Sequence, residues 1–189
     1  MPRRNIIVLT APSGAGKSTI AQRLLVAHPN IQFSTSVTTR PPRKGEIDGV
    51  HYIFLSEAEF RQRIDEGDLL EYEEVYPGRY YGTLRSAVAE ASMRHPVLLD
   101  IDVLGAVNIK QQFGDDCLTL FIAPPSLEVL AQRLRKRGSE TENTLQTRLA
   151  RAKMEMAQAE QFDAVVVNDT LDVAVAETIG HVVRFLARS

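Results

Sequence analysis

The chain has 189 residues, 44% of them hydrophobic, which is enough for one compact domain with a substantial core and excludes disordered, collagen-like and rod-like chains. Lys and Arg total 22 against 24 Asp and Glu, a formal net charge of -2 that argues against a protein wrapping DNA or RNA. Cys117 is the single cysteine, His28, His51, His95 and His181 lie far apart, and no apolar run approaches the about 18 residues of a membrane span, so the expectation is a cytoplasmic protein with no disulfide, metal cluster or membrane segment.

Strand and helix patterns alternate along the chain. Ile6, Ile7, Val8 and Leu9 mark residues 5–10 as a buried strand. Residues 17–27 follow as a helix with Ile20, Ala21, Leu24 and Leu25 on one face, stopped by Pro29. Residues 32–36 read as a short strand, and 38–48 as a loop stiffened by Pro41-Pro42. After a strand at 51–54, Ser56 and Glu59 form a capping box ahead of Phe60 and Ile64. Residues 69–75 and 80–83 read as an antiparallel pair joined through Pro77-Gly78. Helices are expected at 84–93, 103–112, 142–161 and 171–186, with a further helix capped by Ser126 and ending at Gly138. Buried strands are expected at 97–101 and 117–122, and a further strand at 164–168. This rhythm predicts a parallel sheet covered on both faces, interrupted by a mostly β insertion over 32–83. The arginine-rich stretch 133–151 lies between two helices, in a place suited to movement.

The stretch Ala11, Pro12, Ser13, Gly14, Ala15, Gly16, Lys17, Ser18, Thr19 follows the first strand and opens the first helix. In that setting the backbone N–H groups make an anion cradle, strengthened by the partial positive charge of the helix N-terminus. Lys17 can reach terminal phosphates, and the Ser18 hydroxyl can ligate Mg²⁺. Ala11 stands where the usual phosphate-loop pattern has glycine, so the first turn must use an ordinary backbone conformation. Val97-Leu98-Leu99 runs into Asp100, an acid at the carboxyl end of a strand, where ligands of open α/β sheets sit. Asp100 can hold Mg²⁺ directly or through water; the lesser alternative on this segment alone is a strand-ending, loop-facing acid.

Arg40 and Arg43 sit on the Pro-stiffened loop, two forked guanidiniums suited to a phosphate dianion, with Tyr52 able to donate to the same group. Charge alone leaves this equally a solvated basic loop. The run from Thr38 to Phe54, with Arg40, Arg43, Glu46, Gly49 and Tyr52-x-Phe54 in order, resembles the signature of guanylate kinases. The resemblance spans nearly the whole chain through Leu69-Leu70-Glu71-Tyr72, Tyr80-Tyr81-Gly82-Thr83, Leu99-Asp100-Ile101-Asp102, Arg133, Arg137-Gly138 and Val167-Asn168-Asp169.

The resemblance implies an α/β fold of P-loop NTPase type, with a mostly β GMP-binding insertion and a mobile helical lid. Within one domain over 1–189, it implies a core at 1–32, 84–125 and 160–189, the GMP-binding region at 33–83 and the lid at about 126–159. It implies transfer of a phosphoryl group from MgATP to GMP or dGMP in purine nucleotide metabolism. Glu71 would then accept from guanine N1–H and N2–H, a donor pair that adenine lacks, with Ser36 and Thr83 near O6 and Asp102 lining the base pocket. Arg40, Arg43, Tyr52 and Tyr81 would hold the GMP phosphate, with Glu46, Gly82 and Asp100 in the same site. Lys17, Arg133, Arg137 and Arg148 would gather charge on the transferred group, and Asn168 would lie near the adenine of ATP. Arg135, Lys136 and Arg151 read as ordinary solvated charges. Two other readings are distinguishable. A non-catalytic module that binds phosphorylated proteins would not need Lys17, Ser18 and Asp100, and a kinase of a ribose phosphate would not need Glu71, Thr83 and Ser36.

Overall fold

The computed structural model describes residues 4–92, 94–136 and 142–188. Strand β1 (Ile6–Thr10) is fully buried because it lies at the centre of a five-stranded parallel sheet. Its neighbours are β7 (Val97–Asp100) and β8 (Cys117–Ala123), with β2 (Gln32–Phe33) and β9 (Ala164–Val167) at the edges. The register sets Leu9 beside Asp100 and Thr10 beside Phe121. Alternation along β1 feeds two cores. Ile7 and Leu9 point towards α1 (Lys17–Ala27) and α7 (Leu171–Leu186), against Ile20, Leu24, Val182 and Phe185. Ile6 and Val8 point to the other face, against Val103, Ala106 and Ile109 of α4 (Val103–Phe113) and Val88 of α3 (Arg85–Ser92). Both faces of the sheet are therefore covered, as strands made of consecutive apolar residues require.

The second sheet has the order β4-β3-β6-β5, formed by β3 (Val37–Thr38), β4 (Ile53–Phe54), β5 (Leu69–Tyr76) and β6 (Arg79–Leu84). Strand β6 runs antiparallel to both β3 and β5. Its small core gathers Val37, Leu69 and Tyr80 around Phe60 of α2 (Glu57–Asp65), whose N-terminus carries the expected capping box between Ser56 and Glu59. A fourth apolar cluster, Leu130, Leu134, Leu145 and Ala152, joins α5 (Leu127–Lys136) to α6 (Glu142–Met156).

Two expected elements differ. Residues 32–36 are not one strand: β2 pairs with β7, and the chain then leaves the first sheet, so that β3 starts in the second. The helix expected over 142–161 stops at Met156 and is followed by a 3-10 turn at Ala159–Gln161. That turn sends Phe162 into the core, where its ring stacks on Phe121 at 5.5 Å. Cys117 is buried in β8, and burial pushes its thiol up to about 12, leaving it an inert packing residue. Among the described residues, no helix is long and apolar enough to cross a membrane.

Candidate active site

A cleft of about 800 Å³ lies beyond the carboxyl ends of β1 and β7, between the first sheet, the second sheet and α6. It lies where the chain reverses direction across the parallel sheet, since β1 is flanked by β7 on one side and β8 on the other.

The loop leaving β1 forms one wall. Gly14 and Gly16 have φ of 99° and 98°, in the region that disfavours a Cβ, whereas no non-glycine described residue, Ala11 included, has positive φ. The space is as restrictive as the torsion: a Cβ on Gly14 would approach Leu134 of α5 to 2.8 Å. Lys17 Nζ donates to the Ile101 carbonyl at 2.6 Å and pairs with the Asp100 carboxylate. Burial is the largest single influence and works to lower its pKa, but Asp100 by charge and hydrogen bond, with Tyr52 and Asp102, raises it on balance, so Lys17 keeps its charge. The Ser18 hydroxyl lies 3.4 Å from the other Asp100 oxygen. Beneath the loop, Asn168 is buried and its amide donates to the Ala15 carbonyl at 2.7 Å, so it braces the loop from below. The Asn168 backbone carbonyl accepts from Arg133 of α5 at 2.9 Å.

The opposite wall belongs to the second sheet and its loop. Arg40 is buried and forks onto Glu46, with Nη1 and Nη2 at 2.6 and 2.7 Å from the two carboxylate oxygens. The Arg43 backbone N–H also donates to Glu46, at 2.7 Å. The hydrogen bond with Arg40 is the main reason the Glu46 pKa falls to about 2. Glu46 therefore orients Arg40 and does not itself line the cleft; a carboxylate set against a phosphate would repel it. Arg40 also stacks over Tyr52 at 4.8 Å, and Tyr52 meets Tyr81 edge to face at 6.1 Å. Arg40, Arg43, Tyr52 and Tyr81 all face the cleft, as does Ser36 on the approach to β3.

Between the walls sits Glu71 of β5, 5% exposed. One carboxylate oxygen accepts from Thr83 at 2.5 Å, while Oε2 is buried with no partner. Burial is the main cause that pushes Glu71 up to about 7; Thr83 acts against the shift and Asp102 with it. The carboxylate leans over Gly105 of α4, where a Cβ would collide with Oε2. Asp102 caps α4 by accepting from Gly105 N–H at 2.9 Å and also borders the cleft. Gly82 is held by close packing, since a Cβ there would come within 3.0 Å of the Glu71 carbonyl.

On the third side, Arg148 of α6 reaches the phosphate loop, its Nη2 2.5 Å from Ser13 Oγ. Arg137 lies outside the described residues. Lining groups that the sequence did not single out are Arg79 at the β5–β6 turn, Thr147 and Glu155. Nothing local marks them, because they reach the cleft only when α6 and the hairpin fold over it. Arg151, read from sequence as a solvated charge, is instead tied into this wall with its side chain 22% exposed.

A glycine-rich loop at a helix N-terminus, a lysine beside a strand-end aspartate, and arginines facing them across a cleft define a P-loop phosphotransferase. The fold agrees: a shikimate kinase from Bacteroides thetaiotaomicron superposes with a TM-score of 0.51 at 17% identity, over 96% of this chain and 98% of that one. The family model "Guanylate kinase" matches residues 3–185. A guanylate kinase from Salinibacter ruber is 62% identical over 99% of this chain and 100% of its own length, and one from Chlorobium luteolum is 48% identical over 96% and 92%. The crystal structure of guanylate kinase from Anaplasma phagocytophilum matches with a TM-score of 0.76 and 32% identity, over 100% of this chain and 87% of that one. The chain belongs to the guanylate kinase family.

Proposed function

We propose that the chain transfers the γ-phosphoryl group of MgATP to GMP or dGMP, giving ADP and GDP or dGDP, in the cytoplasm. The observation that carries this reading is the unpartnered, buried Oε2 of Glu71 at the end of a cleft that begins at a phosphate loop. A carboxylate in that place accepts two parallel hydrogen bonds from the N1–H and N2–H edge of guanine. Adenine would set the lone pair of its N1 against it.

In this reading residues 1–32, 84–125 and 160–189 carry ATP, 33–83 carry GMP, and about 126–159 act as the lid. Arg40, preset by Glu46, works with Arg43, Tyr52 and Tyr81 to hold the GMP phosphate. An oxygen of that phosphate attacks the γ-phosphorus in line, and the bond to the β,γ-bridging oxygen of ATP breaks. The acceptor is already ionised, so no general base and no covalent enzyme intermediate is needed. Lys17, Arg133, Arg137 and Arg148 neutralise charge on the transferred group, and the lid excludes water that would otherwise hydrolyse ATP. Ser18 Oγ and the Asp100 carboxylate bring hard oxygens together beside the loop, the donor set that suits Mg²⁺. Mg²⁺ bound there with ATP would supply charge neutralisation at the β- and γ-phosphates.

An ADP-release assay over GMP, dGMP, AMP, CMP and UMP tests the assignment. Turnover confined to the two guanine nucleotides is expected, and AMP outrunning GMP would overturn it. Gly105→Ala gives a second check. The new methyl displaces the Glu71 carboxylate, so the GMP KM is expected to rise about 10–100-fold, the worth of one charge-assisted hydrogen bond. ATP KM should stay unchanged, and the melting temperature should hold because alanine favours the helix.

A further inference from the structure

The roles above leave unused a partly buried cation in the wall of the cleft. Arg151 lies on α6 three residues after Arg148, and its three guanidinium nitrogens have three different acceptors. Nε donates to Glu155 of the same helix at 2.7 Å, Nη1 to the Val75 carbonyl at 2.7 Å and Nη2 to Glu73 at 2.8 Å. The ring of Tyr76 lies 5.8 Å from its guanidinium carbon. The Arg151 and Glu73 side chains are 22% and 14% exposed, so solvent screens this pair less than a surface pair.

Its anchors are placed with purpose. Along the middle of β5, Glu71 is buried and Glu73 and Val75 half-buried, while Tyr72 and Glu74 between them are exposed. The strand that presents Glu71 to the base also holds Arg151, through the Glu73 side chain and the Val75 backbone carbonyl. At the other end of the same turn of α6, Arg148 touches Ser13 of the phosphate loop. One helical turn thus spans the acceptor strand and the donor loop.

We propose that Arg151 is a positioning residue that couples the two substrate sites. GMP seated on Glu71 steadies β5, β5 holds α6 through Arg151, and α6 sets Arg148 over the phosphates of ATP. Acceptor binding then tightens donor binding, and by thermodynamic reciprocity the donor tightens the acceptor by the same factor. The inference rests on the guanylate kinase reading of the cleft.

Calorimetry of GMP binding, with and without the magnesium complex of β,γ-imido-ATP, tests it in wild type, Arg151→Met, Arg151→Lys and Glu73→Gln. Wild type is expected to bind GMP about fivefold or more tightly when the analogue is present. In Arg151→Met that ratio should fall to near one. Lysine, whose compact ammonium reaches part of the acceptor set, should restore some of it, and Glu73→Gln should lie between. A bridge that serves stability alone would lower the melting temperature and leave the ratio intact. An equal ratio in wild type and Arg151→Met, or no coupling in wild type, overturns the proposal. Failure of the substrate reading shows separately, as wild type that does not bind GMP; the coupling is then measured with the monophosphate that it does phosphorylate.

Discussion

Glu71→Gln is expected to raise the GMP KM by about 10–100-fold, the cost of losing one charge-assisted hydrogen bond of about 1.5–3 kcal/mol. Glutamine keeps one acceptor oxygen and turns an N–H₂ donor towards the donors of guanine, so a favourable contact becomes a clash. The same change removes a titration. Burial holds the Glu71 carboxyl at about 7, against an ordinary value of 4.5. Guanine needs the carboxylate, so wild type should lose GMP affinity as pH falls through about 7, approaching about tenfold per unit below it. In Glu71→Gln that component of the slope should vanish, leaving those of the phosphate of GMP and of Glu73, whose carboxyl burial pushes up to about 8. Stability runs the other way. A folded-state pKa above the unfolded value means that the contribution of Glu71 is fully present below 4.5 and is lost as pH rises through about 7. The glutamine variant should therefore melt higher than wild type above pH 7 while binding GMP more weakly. Steady-state kinetics at several pH values, with thermal melts alongside, check both halves. A GMP KM left unchanged by the substitution would remove Glu71 from the site.

Lys17→Ala is expected to lower kcat by about 10²–10³, the effect of removing one preorganised charge from a phosphoryl-transfer site. Lys17 is held between the Ile101 carbonyl and Asp100 at the mouth of the loop, charged and already aimed into the cleft. The interaction strengthens as charge builds on the transferred group, so kcat should suffer more than the ATP KM. Single-turnover rates with saturating ATP and GMP measure this directly. A variant with lowered ATP affinity and normal turnover would show that Lys17 serves binding alone.

The Ser56–Glu59 capping box and the start and end of α1 were legible because each is written within a few neighbouring residues. The apolar runs of β1, β7 and β8 were legible for a related reason: a strand buried on both faces leaves no room for polar alternation. The division of residues 32–36 was not, because a two-residue ladder is selected by its partner strand and not by its own side chains.

By itself, then, the sequence determined the parallel core, the phosphate loop with Lys17 and Ser18, the arginine loop and the family that these resemble, since motifs of this kind act through local backbone geometry and fixed spacing. Only the tertiary structure decided that Glu46 is engaged by Arg40, that Asn168 braces the phosphate loop, that Gly105 makes room for Glu71 and that Arg151 ties α6 to β5. Each of these joins groups on different elements or in different turns of a loop. A carboxylate, an amide or a guanidinium has the same sequence signal whatever it faces, and its partner exists only after the chain has closed on itself.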